Sequence, residues 1–188
     1  MEKIPSAKFP TEFGEFRIYS FSDDLIVLSL GEVFEKKELL VRVHSQCFTG
    51  DVFQSKRCDC HLQLFSSLEM ISLENSGMLI YLRNHEGRGI GLKNKIKAYS
   101  LQDEGLDTIE ANHQLGFPTD AREYDQIKAV FEYFKITSIQ LITNNPDKIA
   151  KIKKNGISIT QRIPLIIKPN EFNSKYLKDK KEKMGHLL

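Results

Sequence analysis

No apolar run in this sequence is longer than a strand. The longest, such as Met78–Leu82 (MLIYL), fall far short of the roughly 20 residues that a membrane-spanning helix needs. The opening stretch MEKIPSAKFPTEF has an acidic second residue and no apolar h-region, so no secretory signal is read there. Charge of one sign is also scarce: 27 basic residues stand against 25 acidic ones, well mixed, and the net charge is +2. A nucleic-acid groove gathers Lys and Arg on one face, so nucleic acid is not an expected partner. A small anion needs only a few cations and stays open as a ligand. Repeats and low-complexity tracts are missing, and no flexible linker is visible before the C-terminal tail. These absences leave a cytoplasmic globular protein without membrane partners as the expectation.

What is present is ordinary in bulk, 40% hydrophobic and 28% charged over 188 residues, enough for a real core. The first part reads as strands, EFRIYSF, LIVLSL and LLVRVH, separated by turn signals at Asp23-Asp24 and Gly31. That spacing predicts an antiparallel sheet or small barrel. From Cys60 the pattern changes. Leu64, Leu68 and Ile71 mark a helix that Gly77 ends, MLIYL a buried strand, and residues 93–105 a further helix. Ile127, Val130, Phe131 and Phe134 mark another, SIQLIT a strand, 144–156 a helix and 157–167 mostly strand. The fold class expected is α+β (mixed α/β), with antiparallel strands first and alternating helices and strands after. One domain spans 1–170, and 171–188 is a charged tail read as a solvated helix.

The three cysteines are the most unusual feature. Cys47, Cys58 and Cys60 fall within CFTGDVFQSKRCDC. In a reducing compartment clustered thiols more often bind metal or react than form bridges. If RCDC is extended, Cys58 and Cys60 share one strand face and His61 faces the other way. Gly50 lies in the loop that would bring Cys47 to them. Soft thiolates favour zinc, and three ligands with a fourth position for water is the pattern of catalytic zinc. A closed structural site with His44, His61 or His85 as fourth ligand, a strained Cys58–Cys60 disulfide and unconnected buried thiols use the same residues differently.

Other segments carry weaker signals. In ITNNPDK, Asn145 suits an N-cap, Pro146 the first helical position and Lys148 the first turn, which together make either a phosphate site or simply a well-capped helix. EGRGIG lacks both the Walker A and the dinucleotide pattern, yet its glycines let backbone approach a ligand and Arg88 can fork onto phosphate. RVHSQ, directly before Cys47, would line whatever the metal faces. Asp120 and Arg122 precede an amphipathic helix, where acidic residues are also simply favourable.

Taken together, VRVHSQCFTGD, RCDC, EGRGIGLKNKI, AYSLQDEGLDTIEANHQLGF, TNNP and the terminal KMGHLL resemble the GTP cyclohydrolase II family, from about Ala7 onward. The resemblance implies a cytoplasmic, homodimeric enzyme with one Zn2+ per chain and Mg2+ on the triphosphate. It would open guanine at C8 and release formate and pyrophosphate, giving 2,5-diamino-6-(5-phosphoribosylamino)pyrimidin-4(3H)-one for riboflavin biosynthesis. It assigns zinc to Cys47, Cys58 and Cys60. It assigns GTP contacts to Arg42, Val43, His44, Ser45, Gln46, Gln63, Glu86, Gly87, Arg88, Tyr99, Thr108, Thr143 and Lys148. Asp120 matches the family's proton acceptor and Arg122 its proposed nucleophile, which would attack the α-phosphorus. The rival role for Arg122 is to clamp phosphate charge, because neutral guanidine is scarce at pH 7.

Two positions depart from the family: Ala121 stands where an acidic residue is expected, and His61 where glycine is common. The alternatives to full turnover are a zinc- and nucleotide-binding homologue without activity and a variant that stops at the formamidopyrimidine. The resemblance uses nearly the whole chain, so no dihydroxybutanone-phosphate synthase region is expected.

Overall fold

The computed structural model describes residues 3–187, apart from the side chains of Lys175, Asp179 and Met184. Met1, Glu2 and Leu188, which the expected domain and tail include, lie outside the described residues. In chain order the elements are β1 (Ser6–Thr11), β2 (Gly14–Ser22), β3 (Leu25–Leu30), β4 (Leu39–Ser45), α1 (Phe48–Asp51) and α2 (Cys60–Leu73). Then come β5 (Gly77–Leu82), a 3-10 turn (Arg83–Gly89), α3 (Gly91–Asp103), α4 (Thr108–Gln114) and α5 (Ile127–Phe134). The last are β6 (Ser138–Ile142), α6 (Pro146–Lys154), β7 (Ser158–Ile163) and α7 (Ser174–Met184). Among the described residues no helix is long and apolar enough to cross a membrane.

All seven strands share one sheet, ordered β1-β2-β3-β5-β4-β6-β7. The half from β1 to β5 is antiparallel, and the half from β5 to β7 is parallel. Of the two expected arrangements for the early strands, the open antiparallel sheet is the one observed. Alternation along β5 sends Met78, Ile80 and Leu82 into one core with Ile127, Val130, Phe131 and Phe134 of α5. Leu79 points to the opposite face, where Leu68 and Ile71 of α2 and Phe16 of β2 close a second core. Helices thus cover both faces of the parallel half. Each such side chain, fully buried, stabilises the fold by about 1.5–3 kcal/mol.

Two local expectations are corrected. Helix α2 ends at Leu73 rather than at Gly77. Asn75, in the left-handed region at φ 56, turns the chain there, and Gly77 opens β5 beneath the Leu40 carbonyl. A Cβ at Gly77 would stand 2.9 Å from that oxygen. RCDC is not a strand either. Cys58 follows a turn at residues 56–57 and Cys60 is the first residue of α2, with Asp59 at φ −100 and ψ 8 curling the chain between them.

Strand order places the site. β5 lies on one side of β4 and β6 on the other. The connections leaving β4 and β5 therefore diverge at the carboxyl end of β4, the switch point where open α/β sheets bind ligands.

Candidate functional site

A cavity of about 390 Å³ opens at this switch point, within the size range of small-molecule sites. The segments following β4, β5 and β6 line it through Ser45 and Cys47, Gly87 and Arg88, and Thr143 to Asn145.

The three cysteines converge at this cavity. Their sulfurs lie within 4.8 Å of one another, with 3.7 Å between Cys47 and Cys58. Tetrahedral zinc with Zn–S bonds of about 2.3 Å sets sulfurs roughly 3.7 Å apart, so the trio fits that ion. Gly50 makes the approach possible: a Cβ there would lie 3.0 Å from the Cys47 and Cys58 sulfurs and from the Cys60 Cβ. Hydrogen bonds from Cys58 and Cys60, with Lys95 close by, lower the Cys47 pKa, so Cys47 is the thiolate of the three. The bond shared with Cys47 raises Cys58 to about 11, and the bonds shared with Cys47 and Cys58 raise Cys60 as well. Among the described residues no histidine or carboxylate joins the group. His85 is committed through Nδ1 to the Ser45 hydroxyl (3.0 Å) and through Nε2 to the Glu123 carbonyl (2.7 Å). His61 packs its ring against Phe65, 4.2 Å between centroids.

Behind the thiols is a layer that holds them. Asp51 accepts from the Cys47 amide (3.0 Å), the Tyr81 hydroxyl (2.7 Å) and His44 Nε2 (3.1 Å), fixing the turn that carries Cys47. Lys95 Nζ reaches Cys47 Sγ at 3.1 Å and Glu86 at 2.6 Å. Glu86 also accepts from the Phe48 amide at 2.6 Å and the Gln46 side chain at 3.4 Å. Both Glu86 oxygens are therefore engaged within the protein, and the residue does not line the cavity. Val43 likewise belongs to the core, contributing only its carbonyl, which accepts from Lys148 Nζ at 2.7 Å.

Cations dominate the rest of the wall. Arg42 donates to the Ile142 carbonyl and to Gln63 (3.1 and 2.6 Å), and burial lowers its pKa only to about 10, so it stays charged. Arg88, in the left-handed region at φ 64, has a buried Nη1 that finds no hydrogen-bond partner among the described residues. Burial, then the charges of Arg42 and Arg122, lower the Lys148 pKa. Crowding these cations is unfavourable without a polyanion between them. Tyr99 lines the cavity, its hydroxyl 3.3 Å from that of Thr49 and its ring under the Arg57 guanidinium at 4.9 Å. Thr108, first residue of α4, and Thr143, which accepts from the Asn145 amide (3.1 Å), also line it.

Asp120 and Arg122 form a forked pair, with Arg122 Nε 2.8 and 3.1 Å from the two carboxylate oxygens. Burial alone would lower the Arg122 pKa, but Asp120 raises it, so the group is firmly a cation. Arg122 faces the cavity and reaches the Ser45 hydroxyl at 3.3 Å, whereas Asp120 stands behind it. The pair is placed by the glycine turn: Ala121 N donates to the Arg88 carbonyl (3.1 Å). A Cβ on Gly89 would come within 3.2 Å of the Ala121 backbone.

The residues that sequence reasoning missed are Lys95, Asp51, Tyr176, Lys180 and His186. Lys95 was legible, because it lies four positions before Tyr99 on one face of α3. The last three belong to the segment read as a solvated tail. That reading is corrected: Leu177 and Lys180 are buried, and Tyr176, Lys180 and His186 line the cavity.

Comparison with known proteins agrees with this geometry. The family model for GTP cyclohydrolase II matches residues 2–164. A GTP cyclohydrolase-2 of Picrophilus torridus is 52% identical over 100% of both chains. One of Campylobacter hominis is 51% identical over 97% of this chain and 93% of its own. The riboflavin biosynthesis protein RibBA of Aquifex aeolicus is 46% identical over 100% of this chain, which covers 48% of that longer protein. With the match running through the thiol trio, the glycine turn and the Asp120–Arg122 pair alike, the chain belongs to the GTP cyclohydrolase II family.

Proposed function

We propose that the protein hydrolyses GTP at C8 of guanine, releasing formate and pyrophosphate and leaving the diaminopyrimidine ribotide that enters riboflavin biosynthesis. The observation that carries this reading is one cavity faced both by three convergent thiols and by Arg42, Arg88 and Lys148, cations that have no carboxylate partner in hydrogen-bond range among the described residues. A nucleotide has the matching halves, a ring to present to the metal and a polyphosphate for the cations. Cys47, Cys58 and Cys60 would hold one Zn2+. When bound it supplies the Lewis acidity that makes water nucleophilic near neutral pH.

The chain's own residues do the rest. Arg88, Lys148 and Arg42 bind the triphosphate, with Mg2+ carried on the substrate. Tyr99 and Arg57 wall the region beside the thiols where the purine is placed. Glu86 and Lys95 are positioning residues that anchor the Cys47 turn. Arg122 acts as a clamp on phosphate oxygens, with Asp120 fixing its fork. The Asp120 pairing favours this over covalent attack, because it removes what neutral guanidine there would be. We take the working form to be a cytoplasmic homodimer, as the resemblance implies.

The test is direct. Zinc-loaded protein given GTP and Mg2+ should release formate and a diaminopyrimidine chromophore in equal amounts. Zinc-loaded protein that yields neither overturns the reading. Formamidopyrimidine without free formate would place the chain with the ring-opening variants.

A further inference from the structure

The family model matches no further than residue 164, although the relative from Picrophilus torridus matches over the whole chain, and the segment beyond 164 builds part of the cavity. Asn173, itself buried, precedes α7 and accepts from the Leu177 amide at 2.9 Å. One turn further, Lys180 Nζ reaches Asp59 at 2.9 Å, inside the turn that carries Cys58 and Cys60. The same ammonium lies 4.4 Å from the Tyr176 ring centroid. Past the helix Gly185 takes φ 64 and reverses the chain. The His186 amide then donates to the Lys180 carbonyl (3.0 Å) and the Leu187 amide to the Asn144 carbonyl (2.9 Å). Those two bonds suspend His186 between the end of α7 and the turn that starts α6, with its side chain on the cavity wall.

The surroundings of that imidazole are uniform in sign. Lys180 from α7, Arg122 from the loop before α5, Arg88 from the turn after β5 and Lys148 from α6 line the same cavity, and the charge of each acts on the ring. Burial, first, and these four cations hold the ring neutral, its pKa pushed down to about 3. A neutral imidazole has one N–H to donate, and an acceptor placed among four cations is an anion's oxygen. We propose that His186 is a contact for the polyphosphate of the ligand and Lys180 its positioning residue, so that α7 walls the cavity over the phosphates. This rests on the GTP reading above and adds a segment to it. Lys180 does not act on the ligand alone: it ties α7 to Asp59, and through the chain reversal at Gly185 it sets where His186 stands.

The experiment uses zinc-loaded full-length protein and two probes, inorganic triphosphate with Mg2+ and guanosine, measured by calorimetry beside GTP turnover. His186→Gln should weaken triphosphate binding and raise the KM for GTP about tenfold, the loss of one charge-assisted hydrogen bond, while guanosine affinity and zinc content stay unchanged. Lys180→Met should lose triphosphate in the same way and, in addition, speed hydrogen exchange along α7. Lys181→Ala, exposed on the same helix, should match wild type. Triphosphate bound by His186→Gln as tightly as by wild type overturns the proposal, and so does an equal loss of guanosine. Should the variants not fold, exchange in the wild-type protein decides: α7 amides slowed by triphosphate support the wall, and amides unchanged by it overturn it. Wild-type protein that makes no formate from GTP strikes the parent reading instead.

Discussion

Lys180 and Asp59 stand 121 positions apart in sequence and 2.9 Å apart in space, in a contact that buries both charges. Asp59 accepts from Gln63 as well, and Gln63 accepts from Arg42. One polar chain therefore runs from α7 through the turn that carries Cys58 and Cys60 to strand β4. A buried charge in such a chain is held only while its partner is present.

Removing one member should be costly and removing both much less so. Asp59→Ala leaves the Lys180 ammonium buried without its counter-charge, which should cost about 3 kcal/mol. In a protein of this size that is a melting temperature lower by roughly 10 °C. The double variant Asp59→Ala with Lys180→Met should recover most of the loss. A denaturation cycle over wild type, both singles and the double measures the coupling, and a simple sum of the single effects would refute it.

Gly50→Ala tests the thiol trio without replacing a ligand. Backbone strain is not the issue, since Gly50 lies within the helical turn of α1. The added methyl meets the Cys47 and Cys58 sulfurs and the Cys60 Cβ at 3.0 Å. Zinc content should fall well below one per chain, with activity falling in proportion and the fold retained by circular dichroism. Full zinc content in Gly50→Ala would show that the trio does not hold the ion as placed.

Part of this was legible in the sequence. Gly50, the clustered thiols and the helix start at Asn145–Pro146 are local signals, each readable within a dozen residues, and Asn145 does cap α6 by accepting from the Asp147 and Lys148 amides. The geometry of RCDC was read wrongly, since alternation in a strand and the curl at a helix start both bring positions 58 and 60 together. The role of Glu86 was opaque for another reason: a carboxylate facing a ligand and one facing a buried ammonium, as Glu86 faces Lys95, look alike in a sequence. Lys180 and His186 were hidden by composition, because a Lys-rich segment has the same letters whether it faces water or a polyanion. Only long-range packing separates those cases.

Arg122→Lys separates clamp from nucleophile. A lysine keeps the charge but loses the fork. With a clamp the KM for GTP should rise about tenfold, one lost charge-assisted bond, and turnover should persist. A covalent role predicts a nucleotide linked through nitrogen to Arg122 when Cys58→Ser protein, with ring opening blocked, is incubated with labelled GTP. Mass spectrometry should find no such adduct, and its detection would reverse the assignment.

His85 should make stability depend on pH. Burial lowers its pKa from 6.5 to about 4. As pH falls below 6.5 the unfolded chain takes up a proton that the folded protein refuses, so this group's contribution declines until pH reaches about 4 and is flat below. The decline is on the order of 3 kcal/mol. Urea unfolding of wild type and His85→Gln across that window gives the comparison: the variant should show a shallower slope, and equal slopes would contradict the assignment.

The distance along the chain between Asp59 and Lys180 also has a meaning in time. At about 5–20 residues per second of synthesis, the separation of 121 positions takes roughly 6 to 24 seconds to emerge. For that interval the nascent chain holds its thiols, which come from one short stretch, without the helix that will wall the cavity beside them. Metal capture is a local event and can be early, while the nucleotide chamber is a late one. On the proposed function, a growing chain could therefore take up its ion before it is able to hold a nucleotide.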